Sequence, residues 1–162
     1  MRFAHVVFDI DGTLIDTERG LMLALAEVLW ALQGKRYQPE DLRFTFGLAS
    51  CESLRVLGVE DVQAASLMWS RCFAKYLHEV KPFDGVVEML GALRAGGARL
   101  GVVTSKSRRE YEGEFLPTPL GRFFDIAVTA DDTDDHKPEP GPMLAYLRKA
   151  GARPDEVLYV GD

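Results

Sequence analysis

The chain has 162 residues, 47% of them hydrophobic and 27% charged, which is enough for one real core with room for a small satellite domain. A net charge of −6 without a long Lys/Arg stripe gives no general hold on nucleic acid, and the densest apolar run, Leu21 to Leu32, contains Glu27 and is too short to span a bilayer. Neither of the two cysteines, Cys51 and Cys72, sits in a CxxC, and Met1 to Val6 runs straight into a strand pattern rather than a signal peptide, so a reducing cytoplasm is the expected setting.

In chain order, His5-Val6-Val7-Phe8 is a short apolar run that ends in Asp9, Asp11 and Gly12, as a buried parallel strand feeding a turn would. Leu21 to Leu32 predicts a helix so densely apolar that it should be buried on most sides, with Gly34 as its stop. Pro39-Glu40-Asp41 has the proline and acids of a helical first turn, and Ser50 suits the cap of a short helix ending near Gly58. From Glu60 to His78, apolar residues that include Trp69, Cys72 and Phe73 recur at helical spacing. Met22, Met68, Met89, Trp30 and Trp69 read as packing residues on helical faces. After the break at Lys81-Pro82, Asp84 is the expected cap of a helix closed by Gly96-Gly97. Arg99 to Val103 predicts a strand, Lys106 to Phe115 a charged helix and Phe124 to Val128 a third strand. Pro140 to Ala150 predicts a helix stopped by Gly151, and Val157 to Val160 a fourth strand.

The alternation after Asp84 implies an α/β core, a doubly wound Rossmann-like parallel sheet. The stretch between the first two long strands is far longer than a crossover connection and carries no clear strand. An all-helical cap domain over residues 16–81, inserted into a core of residues 1–15 and 82–162, is the expected organisation.

Ligands of such sheets sit beyond the carboxyl ends of the strands. Those ends carry Asp9 and Asp11, then Thr104 and Ser105, then His136-Lys137-Pro138, then Asp162. A carboxylate cluster needs a hard cation, and magnesium suits oxygen ligands. A lysine beside it suits a phosphoryl group. One carboxylate can attack phosphorus while the other serves as acid and base. Taken singly, each residue has a plainer reading: Asp9 ends a strand, Asp11-Gly12 makes a turn, Thr104 caps a helix, Lys137 is a solvated loop lysine and Asp162 a turn acid. Their combination at successive strand ends favours phosphoryl chemistry.

Four runs carry a resemblance: Phe8-Asp9-Ile10-Asp11-Gly12-Thr13-Leu14, Val102-Val103-Thr104-Ser105-Lys106, His136-Lys137-Pro138-Glu139-Pro140 and Tyr159-Val160-Gly161-Asp162. Together they resemble the haloacid dehalogenase-like hydrolase superfamily, in its helical-cap subgroup, over the whole chain. The resemblance implies a Mg2+-dependent phosphohydrolase acting on a small phosphorylated metabolite, similar to phosphoglycolate phosphatases or the related pyrophosphatases, as a monomer or homodimer. It implies Asp9 as nucleophile, Asp11 as general acid/base, and Thr104 and Lys137 as holders of the transferring phosphoryl group. Asp9, the Asp11 backbone carbonyl and Asp162 would hold the magnesium; Gly12, Thr13, Ser105 and Gly47 would line the substrate. Family members continue past the fourth motif with a further acidic residue, a helix and a strand, so the resemblance also implies a chain shortened at its C-terminus.

Three other readings compete. A sugar-phosphate mutase of the same superfamily is disfavoured because Thr17 to Gln33 holds no histidine. A receiver domain has similar strand-end residues but no cap. A non-catalytic phosphate-binding protein is the third.

Overall fold

The computed structural model describes residues 3–161. Its centre is a four-stranded, fully parallel sheet in the order β5-β4-β1-β6, formed by β1 (His5–Phe8), β4 (Arg99–Val103), β5 (Ile126–Val128) and β6 (Val157–Val160). β1 lies in the middle, with His5 level with Arg99 on one side and Val157 on the other. Side chains alternate across a strand, so β1 feeds two different cores. Val6 and Phe8 join Leu100, Val102, Leu90 and Phe115 on one face, while Val7 joins Val103, Val128, Ala145 and Tyr146 on the other. Helix α4 (Val86–Ala95) covers the first face and α6 (Gly141–Ala150) the second. This double covering explains the unbroken apolar run before Asp9.

Between β1 and β4 lies a helical layer made of α1 (Glu18–Gln33), α2 (Ser50–Val56) and α3 (Val62–Phe73). It has a hydrophobic cluster of its own, built on Met22, Leu25, Leu29, Leu54, Trp69 and Phe73. The Trp69 indole N–H donates to the Leu21 carbonyl at 3.0 Å and pins α3 to α1. Two short strands that the sequence did not announce, β2 (Ile15–Asp16) and β3 (Lys81–Pro82), pair antiparallel where the chain enters and leaves this layer. Each has only two residues, too few for an alternating pattern to register.

Several expectations are corrected. α1 shows the expected dense burial from Leu21 to Leu29, where no residue is exposed, but not at its C-terminal end, where Trp30 and Leu32 are each 49% exposed. Trp30 instead lies beneath the Arg36 guanidinium, 4.6 Å from the ring centre. Met89, expected to pack, is exposed on α4. Ser50 is the first residue of α2 rather than its cap, and Gly85, not Asp84, precedes α4. The third strand starts at Ile126 rather than Phe124, and the charged helix begins after Ser107 as α5 (Arg108–Glu110), continuing as a wider π-type turn through Tyr111–Phe115. β6 forms an edge of the sheet, and Leu158 and Val160 stay partly open to solvent.

Candidate active site

Asp9 follows the last residue of β1 and is almost wholly buried. Its backbone N–H continues the sheet by donating to the Val160 carbonyl at 3.0 Å, which fixes where the side chain emerges. One carboxylate oxygen accepts the Ile10 amide at 2.7 Å, and the other accepts the Lys137 ammonium. Burial pushes the Asp9 carboxyl above its ordinary pKa; the adjacent Lys137 opposes that push without cancelling it. Gly161 is needed beside it, since a Cβ there would come within 2.8 Å of the Asp9 Cβ. Lys137 is not a solvated loop lysine: its side chain is only 15% exposed and ends on Asp9.

The chain then turns sharply. The Ile10 carbonyl accepts the amides of Thr13, Leu14 and Ile15, and Gly12 takes a left-handed φ of 76° that a β-carbon would strain. A Cβ at Gly12 would also meet the Phe46 ring at 2.9 Å, so this turn touches the helical layer. The turn swings Asp11 away from Asp9 and into other hands. Thr17 Oγ1 donates to Asp11 Oδ1 at 2.7 Å, and Lys106 Nζ lies 3.2 Å from Asp11 Oδ2. The two acids therefore occupy different environments, as two different tasks require.

At the end of β4, Thr104 is buried and its hydroxyl oxygen accepts the Lys106 amide at 3.2 Å. It does not cap the next helix. Ser107 does so, in a reciprocal capping box with Glu110. Asp131 and Asp132, which follow β5, face that same helix start: Asp131 accepts the Arg108 amide and Asp132 the Arg108 guanidinium.

A cavity of about 60 Å³ lies between the strand ends and the helical layer. Pockets that bury drug-sized ligands run to roughly 300–1,000 Å³, so this one suits a small molecule. Its floor includes Asp9, Asp11, Thr104 and Ser105, and Gly47 lies on its opposite wall. Gly12 and Thr13, expected along the substrate, are not among the cavity walls because the turn carries them outward. Asp162, the expected third metal ligand, lies outside the described residues. Among the described residues no cluster of three or more acids, histidines or cysteines stands ready for a metal. The Asp9 carboxylate and the Asp11 carbonyl are nonetheless hard oxygen donors, and magnesium commonly takes one or two carboxylates and completes its shell with water and phosphate oxygens. The donor chemistry therefore fits magnesium.

One group went unassigned in the sequence. Lys106 is buried, and its ammonium bridges Asp11 and Glu114, the latter at 2.9 Å. Burial works against its charge, but the two acids outweigh burial and hold its pKa above that of an ordinary lysine. Glu114 in turn accepts the hydroxyl of Ser70 from α3 at 2.6 Å. The spacing of Lys106, Glu110 and Glu114, four residues apart, was a signal that they share one helical side; their partner Ser70 left no sequence signal at all.

A fully parallel sheet with Asp9 buried at the end of its first strand, and a helical layer inserted between that strand and β4, defines the class: a doubly wound α/β protein with a helical insertion. Residues 6–162 match the family model for haloacid dehalogenase-like hydrolase, and the chain belongs to that family. Among curated relatives, the Pyrophosphatase PpaX of Bacillus cereus strain AH820 is 31% identical over 164 residues, covering 100% of this chain and 76% of the relative. Among solved structures, a candidate phosphoglycolate phosphatase from Lactobacillus plantarum superimposes with a TM-score of 0.87 at 29% identity, over 100% of this chain and 78% of the other. The β-phosphoglucomutase of Clostridium difficile reaches a TM-score of 0.83 at 16% identity, covering 99% of this chain and 76% of its own, and shares the fold alone. Among the described residues no helix is long and apolar enough to cross a membrane.

Proposed function

We propose that the chain is a magnesium-dependent phosphatase that hydrolyses a small phosphorylated metabolite through an aspartyl-phosphate on Asp9. The observation that carries this reading is Asp9 itself, buried at the floor of a small cavity with Lys137 on one oxygen and Asp11 two residues away in a separate environment. A carboxylate oxygen of Asp9 attacks phosphorus as the bond to the leaving oxygen breaks, and Asp11, protonated, gives its proton to that oxygen. Asp11, now ionised, takes a proton from a water that attacks the phosphorus of the acyl phosphate. Phosphate leaves and the Asp9 carboxylate returns. Lys137 and the Thr104 hydroxyl hold the equatorial oxygens, where charge concentrates. The Asp9 carboxylate, the Asp11 carbonyl and Asp162 would hold the magnesium, which supplies charge neutralisation at the phosphoryl oxygens when bound.

Residues 16–81 act in this reading as a cap over a core of residues 1–15 and 82–162. The β2–β3 pair is the neck, and closure keeps bulk water from the acyl phosphate. The pyrophosphatase and phosphoglycolate phosphatase among the relatives support phosphate chemistry here.

Phosphate release measured with magnesium, with phosphoglycolate and pyrophosphate as substrates, tests the proposal. Asp9→Asn should lower kcat/KM by roughly 10³-fold or more. Turnover that survives the substitution would overturn Asp9 as nucleophile.

A further inference from the structure

The two halves of the cavity wall differ in a way that bears on what the phosphate is attached to. The helical layer contributes Leu21, Met22, Phe46, Leu48, Trp69 and Phe73, with a few hydroxyls between them, and not one lysine or arginine among the described residues. The floor contributes one cation to the lining, Lys106. That ammonium is already shared by Asp11 and Glu114. Glu110 also lines the cavity, its carboxylate held by the Ser107 amide and hydroxyl, so Asp11, Glu110 and Glu114 add three carboxylates to a lining whose one lysine is already shared. Glu114 cannot swing away easily. Its side chain is 12% exposed, and Ser70 and Lys106 hold its two oxygens, at 2.6 and 2.9 Å.

We infer that Glu114 is a specificity residue: by neutralising Lys106 it tunes the leaving-group end of the cavity against anions, so that the enzyme takes monoesters of small uncharged or apolar alcohols ahead of pyrophosphate and of phosphoglycolate. This rests on the phosphatase reading above. The physical ground is that a second phosphate or a carboxylate in this cavity meets apolar side chains and fixed carboxylates where it would need free donors. A buried anion left without a partner is penalised far more than a neutral group is rewarded. An uncharged aromatic or alkyl leaving group loses nothing there and gains contact with Phe46, Trp69 and Phe73. Phosphoryl binding itself is unaffected, because Asp9, Lys137 and Thr104 lie at the strand ends. Glu114 acts through Lys106 and is in that sense a positioning residue.

The test is the ratio of kcat/KM values for phenyl phosphate, phosphoglycolate and pyrophosphate, measured with magnesium on the wild type and on Glu114→Gln. The glutamine keeps the shape, its carbonyl oxygen can still accept from Lys106 and its amide N–H can donate to the Ser70 hydroxyl, but it removes the charge. The wild type should favour phenyl phosphate over pyrophosphate by roughly tenfold or more, and Glu114→Gln should narrow that ratio about tenfold, chiefly through a lower KM for the two substrates whose leaving groups carry charge. A wild type that prefers pyrophosphate, or a ratio that Glu114→Gln leaves unmoved, overturns the inference while the phosphatase reading stands. Should Glu114→Gln fold poorly, Ser70→Ala, which unfastens one oxygen of Glu114, should shift the ratio the same way by a smaller amount, and no shift counts against the inference. If none of the three substrates is hydrolysed by the wild type above the level of Asp9→Asn, the phosphatase reading fails and the inference falls with it.

Discussion

The strand-end floor and the helical layer above it face the same cavity and are built on opposite terms. The floor holds its polar groups by short, local bonds: the Ile10 amide on Asp9, Thr17 on Asp11, the Thr104 hydroxyl under the Lys106 amide. Its buried charges cost free energy to bury and are kept only because each has a partner. The layer is held by a hydrophobic cluster in which α1 and α3 share Met22, Leu25, Trp69 and Phe73. Chemistry is concentrated where stability is lost, and stability where no chemistry is done, a division seen whenever a site is grafted onto a scaffold.

If that division is right, substitutions should separate cleanly into the two kinds. Asp9→Asn should remove turnover and yet leave stability at pH 7 within about 1 kcal/mol of the parent, since it relieves a buried charge while leaving Lys137 near enough to solvent to rehydrate. A large loss of stability from that variant would break the comparison. Leu25→Ala should do the converse. Leu25 is fully buried on α1 and is not one of the cavity walls, and its truncation should cost about 2–5 kcal/mol in urea denaturation.

Asp132 sharpens the contrast by showing a core carboxylate that stabilises. Burial alone would raise its pKa, but Lys149, the Thr129 amide and hydroxyl, and Arg108 outweigh burial and pull it down to about 2. A folded-state value below the unfolded one gives stability that is fully present above the unfolded value of 3.8 and is lost as pH falls through about 2. Asp132→Asn should therefore cost about 1–2 kcal/mol at pH 7, discounted for the partly exposed Lys149 and Arg108, and that difference should fade in acid denaturation between those two pH values. The smallest effect belongs to Trp30→Ala. Half-exposed and stacked under Arg36, Trp30 should contribute less than about 1 kcal/mol, against several for Trp69 on the same layer.

Much of the scaffold was legible because its signals are local and repeat. The apolar run before Asp9, the strand at Arg99 to Val103, and the stops at Gly34 and Gly151 all fall where periodicity and punctuation put them. The α/β class followed from the order of those elements. What periodicity cannot express went astray: the two-residue strands β2 and β3, and the C-terminal end of α1 that carries Trp30. An apolar residue on a helix announces that it prefers burial, not whether a neighbour arrives to bury it.

The same line divides the candidate site. The sequence by itself determined that acids, a threonine and a lysine stand at successive strand ends, because in a parallel sheet chain order and strand direction dictate that they emerge on one side. Tertiary structure alone decided which of them meet. It set Lys137 on Asp9 and Lys106 between Asp11 and Glu114, and it reached Ser70 across from a helix more than thirty residues earlier. Those pairings depend on where loops fold back and on which buried charge must find an opposite one, and neither leaves a period in the chain.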